Sequence, residues 1–122
     1  MQRILIVDDS ATIRKMVRAS LQALQPAEFL EAGTGLEAIE QLAVAAVHLV
    51  VLDLNMPDMH GIEVLTFIRS HRSYQGLPVV VLTTRGDDES RDAALKAGAT
   101  RYLTKPFAPQ VLASHARELL NG

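Results

Sequence analysis

The sequence predicts a doubly wound α/β domain: a parallel five-stranded sheet covered on both faces by helices, a (βα)5 three-layer sandwich. Two observations predict it. Short, β-branched, continuously apolar runs recur at 4–7, 49–52 and 79–82, as expected of strands buried on both faces of a parallel sheet. Between them lie longer stretches with helical apolar spacing. Alternation of the two patterns implies parallel strands joined by right-handed helical crossovers.

The elements follow in order. Ile13, Met16, Val17, Leu21 and Leu24 keep helical spacing after Ser10, a capping residue, and Pro26 ends that helix. Phe29-Leu30 with its neighbours is a weak second strand. A second helix is expected over 36–46, with Ile39, Leu42 and Ala43 facing inward, and a third over 62–71, with Leu65 and Ile68 inward. Gly76 and Pro78 mark the approach to the fourth strand. An Ala-rich fourth helix over 89–97 closes at Gly98, a short fifth strand covers 101–103, and a fifth helix covers 109–120. These elements use up the chain, so a single domain over 1–122 is expected, without an effector domain.

Composition narrows the function. The 122 residues carry 12 Lys and Arg against 14 Asp and Glu, a formal charge of −2. That excludes a broadly cationic nucleic-acid binder. There is no Cys, which excludes a disulfide scaffold and any cysteine-ligated zinc or iron–sulfur site. The apolar run before Asp8-Asp9 is too short for a signal peptide, and no run approaches a membrane span. A soluble, cytoplasmic protein with no membrane insertion is expected.

In open α/β sheets, ligands bind at the carboxyl ends of the strands, where strand order reverses. Asp8-Asp9 follow the first strand, Asp53 closes the third, Thr83-Thr84 end the fourth and Lys105-Pro106 end the fifth. Each alone has a plain structural explanation, such as a helix cap or a solvated charge. Together they place three acids, a hydroxyl and a lysine on one rim. Three crowded carboxylates repel, and a divalent cation relieves the repulsion. Mg²⁺ takes oxygen ligands and keeps waters, whereas no His or Cys accompanies these acids to suggest zinc. A carboxylate can also form an aspartyl-phosphate, while a metal and an ammonium neutralise the transferring phosphoryl group. The parts are those of phosphoryl transfer onto Asp.

Over its whole length the chain resembles the CheY-like receiver domain of two-component response regulators. The resemblance is carried by Ile6-Val7-Asp8-Asp9-Ser10, by Val51-Leu52-Asp53-Leu54-Asn55-Met56-Pro57-Asp58-Met59-His60-Gly61, by Val81-Leu82-Thr83-Thr84 and by Tyr102-Leu103-Thr104-Lys105-Pro106-Phe107. It implies the flavodoxin-like strand order 2-1-3-4-5, which is borrowed from the family. It implies that Asp53 is the phosphoacceptor and that Asp8 and Asp9 position Mg²⁺, Asp9 directly and Asp8 largely through water. Asn55 would offer the metal its backbone carbonyl, with its side chain near the phosphoryl group. Thr83 would be the switch hydroxyl that binds a phosphoryl oxygen, and Lys105 the lysine that pairs with it, before a cis Lys105-Pro106 peptide. Tyr102 would be the aromatic switch, moving inward as Thr83 shifts; on its own it reads as a half-exposed edge-strand aromatic.

The resemblance further implies a histidine kinase as phosphodonor and slow autodephosphorylation rather than enzymatic turnover. Readout would occur through the face of the fourth helix, fifth strand and fifth helix. The segment from Val7 to Lys15 is most similar to stand-alone chemotaxis-type receivers, so a motor switch or another regulatory protein is the expected target. A monomer is expected, with dimerisation possible on phosphorylation. Asn55 and Arg85, each two residues past a site residue, are expected to set the lifetime of the phosphorylated form.

Other readings compete. Gly33-Thr34-Gly35-Leu36-Glu37-Ala38 matches a dinucleotide fingerprint, but it follows the second strand rather than the first, and nearby apolar residues occupy the region where the acidic partner is expected. A turn with a Thr34-x-x-Glu37 capping box is the better reading. His48, His60, His71 and His115 show no metal-ligand spacing, and Met56 and Met59 read as loop packing. A Mg²⁺-dependent phosphatase of haloacid-dehalogenase type would use a similar Asp nucleophile, but Asp53-Leu54-Asn55 lacks its second acid and the chain has no room for a cap. A receiver cut from a longer regulator is a further alternative.

Overall fold

A computed structural model describes residues 2–24, 27–56 and 61–121. Among these residues five strands alternate with five helices: β1 (Gln2–Val7), α1 (Ala11–Leu21), β2 (Ala27–Ala32), α2 (Gly35–Val44), β3 (Leu49–Asp53), α3 (Gly61–Ser70), β4 (Val79–Thr83), α4 (Asp88–Ala97), β5 (Arg101–Thr104) and α5 (Pro109–Asn121). A single 3-10 turn, Arg72–Tyr74, precedes β4. The strands pair in parallel in the order β2-β1-β3-β4-β5.

Strand periodicity sorts the apolar residues into two layers. Leu5, Val7, Val50, Leu52, Val79 and Val81 face α2, α3 and α4, where they meet Leu42, Leu65, Ile68 and Ala94. Ile4, Ile6, Leu49, Val51, Val80 and Leu82 face α1 and α5, where they meet Val17, Leu21, Leu112 and Ala116. β3 and β4 are buried throughout, whereas the edge strands β2 and β5 are mostly half-exposed. Continuous apolar runs therefore mark the central strands, and the edge strands are weaker in sequence because one side has no partner.

Helix ends follow local chemistry. Ser10 Oγ accepts from the Ile13 N–H at 3.2 Å, and Asp87 accepts from the Ser90 N–H at 3.0 Å. Thr34 Oγ1 accepts from the Glu37 N–H at 3.1 Å, while Glu37 Oε2 accepts from the Gly33 N–H, one residue before the usual capping-box donor. Gly98 closes α4 in the left-handed region at φ 114°, where a side chain is strained. Gly61 opens α3 so close to β3 that a Cβ would lie 2.4 Å from the Asp53 carbonyl oxygen.

Several expectations are corrected. α1 ends at Leu21, so Leu24 lies beyond it, and Pro26 lies outside the described residues. Met16 is 45% exposed because the buried stripe of α1 runs through Val17 and Leu21, about 100° round the helix from it. In α2 the buried residues are Gly35, Ala38 and Leu42, leaving Ile39 half-buried and Ala43 exposed. α2 also starts one residue earlier and ends at Val44, where the Ala45 N–H closes the last turn onto the Gln41 carbonyl.

Candidate functional site

The chain enters at β1, pairs β2 on one side, then crosses to β3 on the other side of β1. The carboxyl ends of β1 and β3 thus flank the point where strand order reverses. Asp8 follows Val7 there, with its N–H on the Ala32 carbonyl at 3.1 Å. Asp53 is the last residue of β3. Along the sequence Asp8, Asp53 and Lys105 continue the alternation of Ile6, Val51 and Leu103, all on the α1 and α5 side of the sheet.

Lys105 joins the two acids. Its Nζ lies 3.0 Å from Asp8 Oδ2 and 3.1 Å from Asp53 Oδ1. Asp8 and Asp53 are 2% and 1% exposed, so these are pairs out of water. Asp8 Oδ1 accepts from the Ser10 N–H at 2.9 Å, and Asp53 Oδ1 from the Asn55 N–H at 3.0 Å. Asp53 Oδ2 is buried and has no hydrogen-bond partner among the described residues. Asp9 is exposed, and its carboxylate closes a cluster with those of Asp8 and Asp53 in which the oxygens lie within 4.8 Å of one another. At that separation two unit charges repel by about 3.5 kcal/mol at an effective dielectric of ~20.

These charges shift the titrating groups. Burial pushes the Asp53 carboxyl above the ordinary carboxylate range, and the Asp8 charge adds to it; the Asn55 N–H and Lys105 oppose the shift without reversing it. Burial by itself would lower Lys105, but the hydrogen bonds and charges of Asp8 and Asp53 together outweigh it and hold the ammonium above the ordinary lysine range.

Three carboxylates against one ammonium leave two formal negative charges uncompensated, which suits a divalent cation. The donor set is all oxygen, as Mg²⁺ requires, and the unpartnered Asp53 Oδ2 is a buried acceptor in want of a donor or a cation. The residues present therefore fit such an ion.

The hydroxyl of the expected switch residue is already engaged. Thr83 Oγ1 donates to Asn55 Oδ1 at 3.0 Å and accepts from the Arg85 N–H at 3.1 Å. Asn55 Oδ1 also accepts from the Thr84 N–H at 3.3 Å. Tyr102 is half-buried on β5, on the same side of the sheet as Val81, and its hydroxyl donates to the Arg85 carbonyl. Arg85 itself is exposed, with Nε 3.6 Å from Asp87 Oδ1. The Lys105-Pro106 peptide is cis. Met56 is buried in the core beside the site; Pro57, Asp58, Met59 and His60 lie outside the described residues. His48, His71 and His115 do not gather: each Nδ1 accepts a separate hydrogen bond, from Arg3, Ser73 and Arg101 respectively.

One contact next to the site has no warning in the sequence. Arg14 donates to the Asp8 carbonyl and pairs with Glu31 from β2. Helical spacing places Arg14 near the start of α1 but says nothing of a partner on another strand.

Fold and site together define a doubly wound α/β domain with a lysine-paired acidic cleft at the switch point of its sheet. The chain belongs to the response regulator receiver domain family, whose model matches residues 4–117. It is 37% identical over 119 residues to a chemotaxis protein CheY homolog of Campylobacter jejuni, covering 97% of this chain and 92% of that protein. It is 40% identical over 111 residues to chemotaxis protein CheY1 of Helicobacter pylori, covering 90% of each. Among solved structures, chemotaxis response regulator CheY4 of Vibrio cholerae superposes with a TM-score of 0.89 at 35% identity, over 98% of this chain and 99% of that one. A putative response regulator from Chloroflexus aurantiacus gives 0.92 at 31% identity, over 99% and 98%. The flavodoxin-like order 2-1-3-4-5 is thus both observed and shared. This family works in two-component phosphorelay signalling rather than as ordinary enzymes. No helix among the described residues is long and apolar enough to cross a membrane.

Proposed function

We propose that the chain, read over 1–122 as one receiver domain, accepts a phosphoryl group on Asp53 from a histidine kinase and changes its affinity for a target protein. The observation that carries this reading is the Asp8–Lys105–Asp53 bridge with one Asp53 oxygen left unpartnered. An Asp53 oxygen attacks phosphorus, a P–O bond forms, and the P–N bond to the donor imidazole breaks with the electron pair leaving on nitrogen. Asp8, Asp9, Asp53 and the Asn55 carbonyl would hold Mg²⁺, which supplies charge neutralisation on the transferring oxygens. Lys105 pairs with a phosphoryl oxygen on the opposite side. Its contacts to Asp8 and Asp53 already hold the ammonium in place, so little reorganisation is needed.

The new dianionic group draws in the Thr83 hydroxyl, which must leave Asn55. Tyr102, tethered to the Arg85 carbonyl in the same loop, responds by packing inward. Readout by the α4–β5–α5 face is in keeping with Leu95 on α4 and Val111 on α5, two large apolar side chains left exposed on those helices. The relatives named for chemotaxis support a role in chemotaxis or motility, with a motor switch or another regulatory protein as target. Acetyl phosphate with Mg²⁺ is expected to add the mass of one PO3 unit to the wild type and none to Asp53→Ala. An unmodified wild type, or a modified Asp53→Ala, overturns the assignment.

A further inference from the structure

Behind the acidic cleft, towards β2, lies a guanidinium that reaches two elements at once. Arg14, near the start of α1, donates through Nη1 to the Asp8 carbonyl at 2.6 Å and through Nε to Glu31 Oε1 at 2.9 Å. The other carboxylate oxygen of Glu31 lies 3.3 Å from Arg18 Nη1. Gly33 leaves the room this needs, since a Cβ there would lie 3.3 Å from Arg14 Nη1.

The Asp8 carbonyl belongs to the planar peptide that joins Asp8 to Asp9. Holding that oxygen fixes the plane and so the direction in which Asp9 carries its carboxylate. The side chain of Asp8 is already held by Ser10 and Lys105. Asp9 is exposed, and among the described residues nothing hydrogen-bonds its carboxylate. Its orientation depends on the backbone. We propose that Arg14 is the positioning residue of the cation site: it sets the Asp8–Asp9 peptide so that Asp9 turns into the cleft, with Glu31 orienting the guanidinium. This rests on the reading of Asp8, Asp9 and Asp53 as a Mg²⁺ site.

A guanidinium suits the task because its N–H groups diverge in one plane and reach a carbonyl and a carboxylate together, which a lysine ammonium does not. Its charge works against the task, since a nearby positive charge repels a cation. The two effects have opposite signs. If Arg14 acted through charge alone, removing it would tighten Mg²⁺ binding; if it acts by positioning, removing it weakens binding.

Calorimetric Mg²⁺ titration of the full chain separates them. Arg14→Met is expected to raise the Kd about tenfold, in the range typical of groups that orient metal ligands. Arg14→Lys, which keeps the charge and loses the fork, is expected to raise it as well, and it carries the same contrast if Arg14→Met does not fold. Glu31→Gln weakens binding less, and not at all in the Arg14→Met background. Arg18→Met, which also loses a Glu31 contact but never touches Asp8, should leave the Kd within about twofold, well below the Arg14 effect. An unchanged or tighter Kd in the Arg14 variants, or an equal loss in Arg18→Met, overturns the inference. If the wild type takes up no Mg²⁺, the reading of the acidic cluster fails instead. Amide exchange at Ser10 then still tests Arg14, because Arg14→Met should speed it only if Arg14 orders this loop.

Discussion

The Thr83 hydroxyl donates to the side-chain oxygen of Asn55 across 3.0 Å, so the resting protein holds its expected switch residue on a neighbour from the loop that follows β3. That contact opposes capture of Thr83 by a phosphoryl oxygen. A net hydrogen bond is worth about 1 kcal/mol. Asn55→Ala is therefore expected to bind beryllium fluoride roughly fivefold more tightly, since 1.4 kcal/mol is a factor of ten and 1 kcal/mol about 0.7 of a decade. Titration by heteronuclear NMR reads this directly. Equal affinity in the two proteins would mean that the contact has no bearing on the switch.

Lys105 compensates two buried carboxylates. Lys105→Met leaves both without their cation, and breaking a buried pair from one side costs about 3–5 kcal/mol. The variant should melt well below the wild type in chelator, and millimolar Mg²⁺ should restore part of the loss. Because the Lys105 pKa is raised by folding, its contribution is complete below the ordinary lysine pKa and is lost as pH rises through the folded value. Wild-type stability in chelator should fall in that alkaline window, and the variant's should not. Parallel alkaline profiles would refute this.

Asp53 gives the opposite sign. Its pKa is raised by folding, so between the ordinary and the raised value the native state keeps a proton that the unfolded chain has released. Stability then falls as pH climbs through that window. Asp53→Asn removes the ionisation, and in chelator at neutral pH it should melt higher than the wild type. The gap should close on adding Mg²⁺, which stabilises only the form with its carboxylate. A wild type that melts higher in chelator would show that burial does not disfavour the charged form.

Gly61 is where α3 meets the site. A Cβ would meet the Asp53 carbonyl at 2.4 Å and the Leu54 Cα at 2.5 Å, both backbone atoms that cannot swing aside. Gly61→Ala should lose about 1–3 kcal/mol, as overpacked sites do, and should also weaken Mg²⁺ binding by displacing Asp53. Chemical denaturation and calorimetry check the two effects. A variant with unchanged stability would mean that α3 starts with more slack than the backbone contact implies.

Much of this was legible in the residues. The runs at 49–52 and 79–82 could hardly be anything but buried parallel strands, and both are buried without exception. Gly98 closed its helix as expected. The inward faces of α1 and α2 are less legible in the residues. Met16 and Ala43 are apolar at permissible helical positions, but a one-residue step turns a side chain by about 100°, and only the partner surface decides which apolar stripe is covered.

The candidate site divides the same way. Strand-end position alone brought Asp8, Asp53 and Lys105 together, because a parallel sheet puts all its carboxyl ends on one rim and side-chain alternation fixes their face. The Arg14–Glu31 and Thr83–Asn55 contacts are different. Each joins side chains from elements that no local pattern connects, and a sequence records periodicity and capping, which are local. Where a guanidinium or a hydroxyl finds its partner is decided only when the sheet order sets β2 beside β1 and β3 beside β4, so the tertiary structure alone chose those pairs.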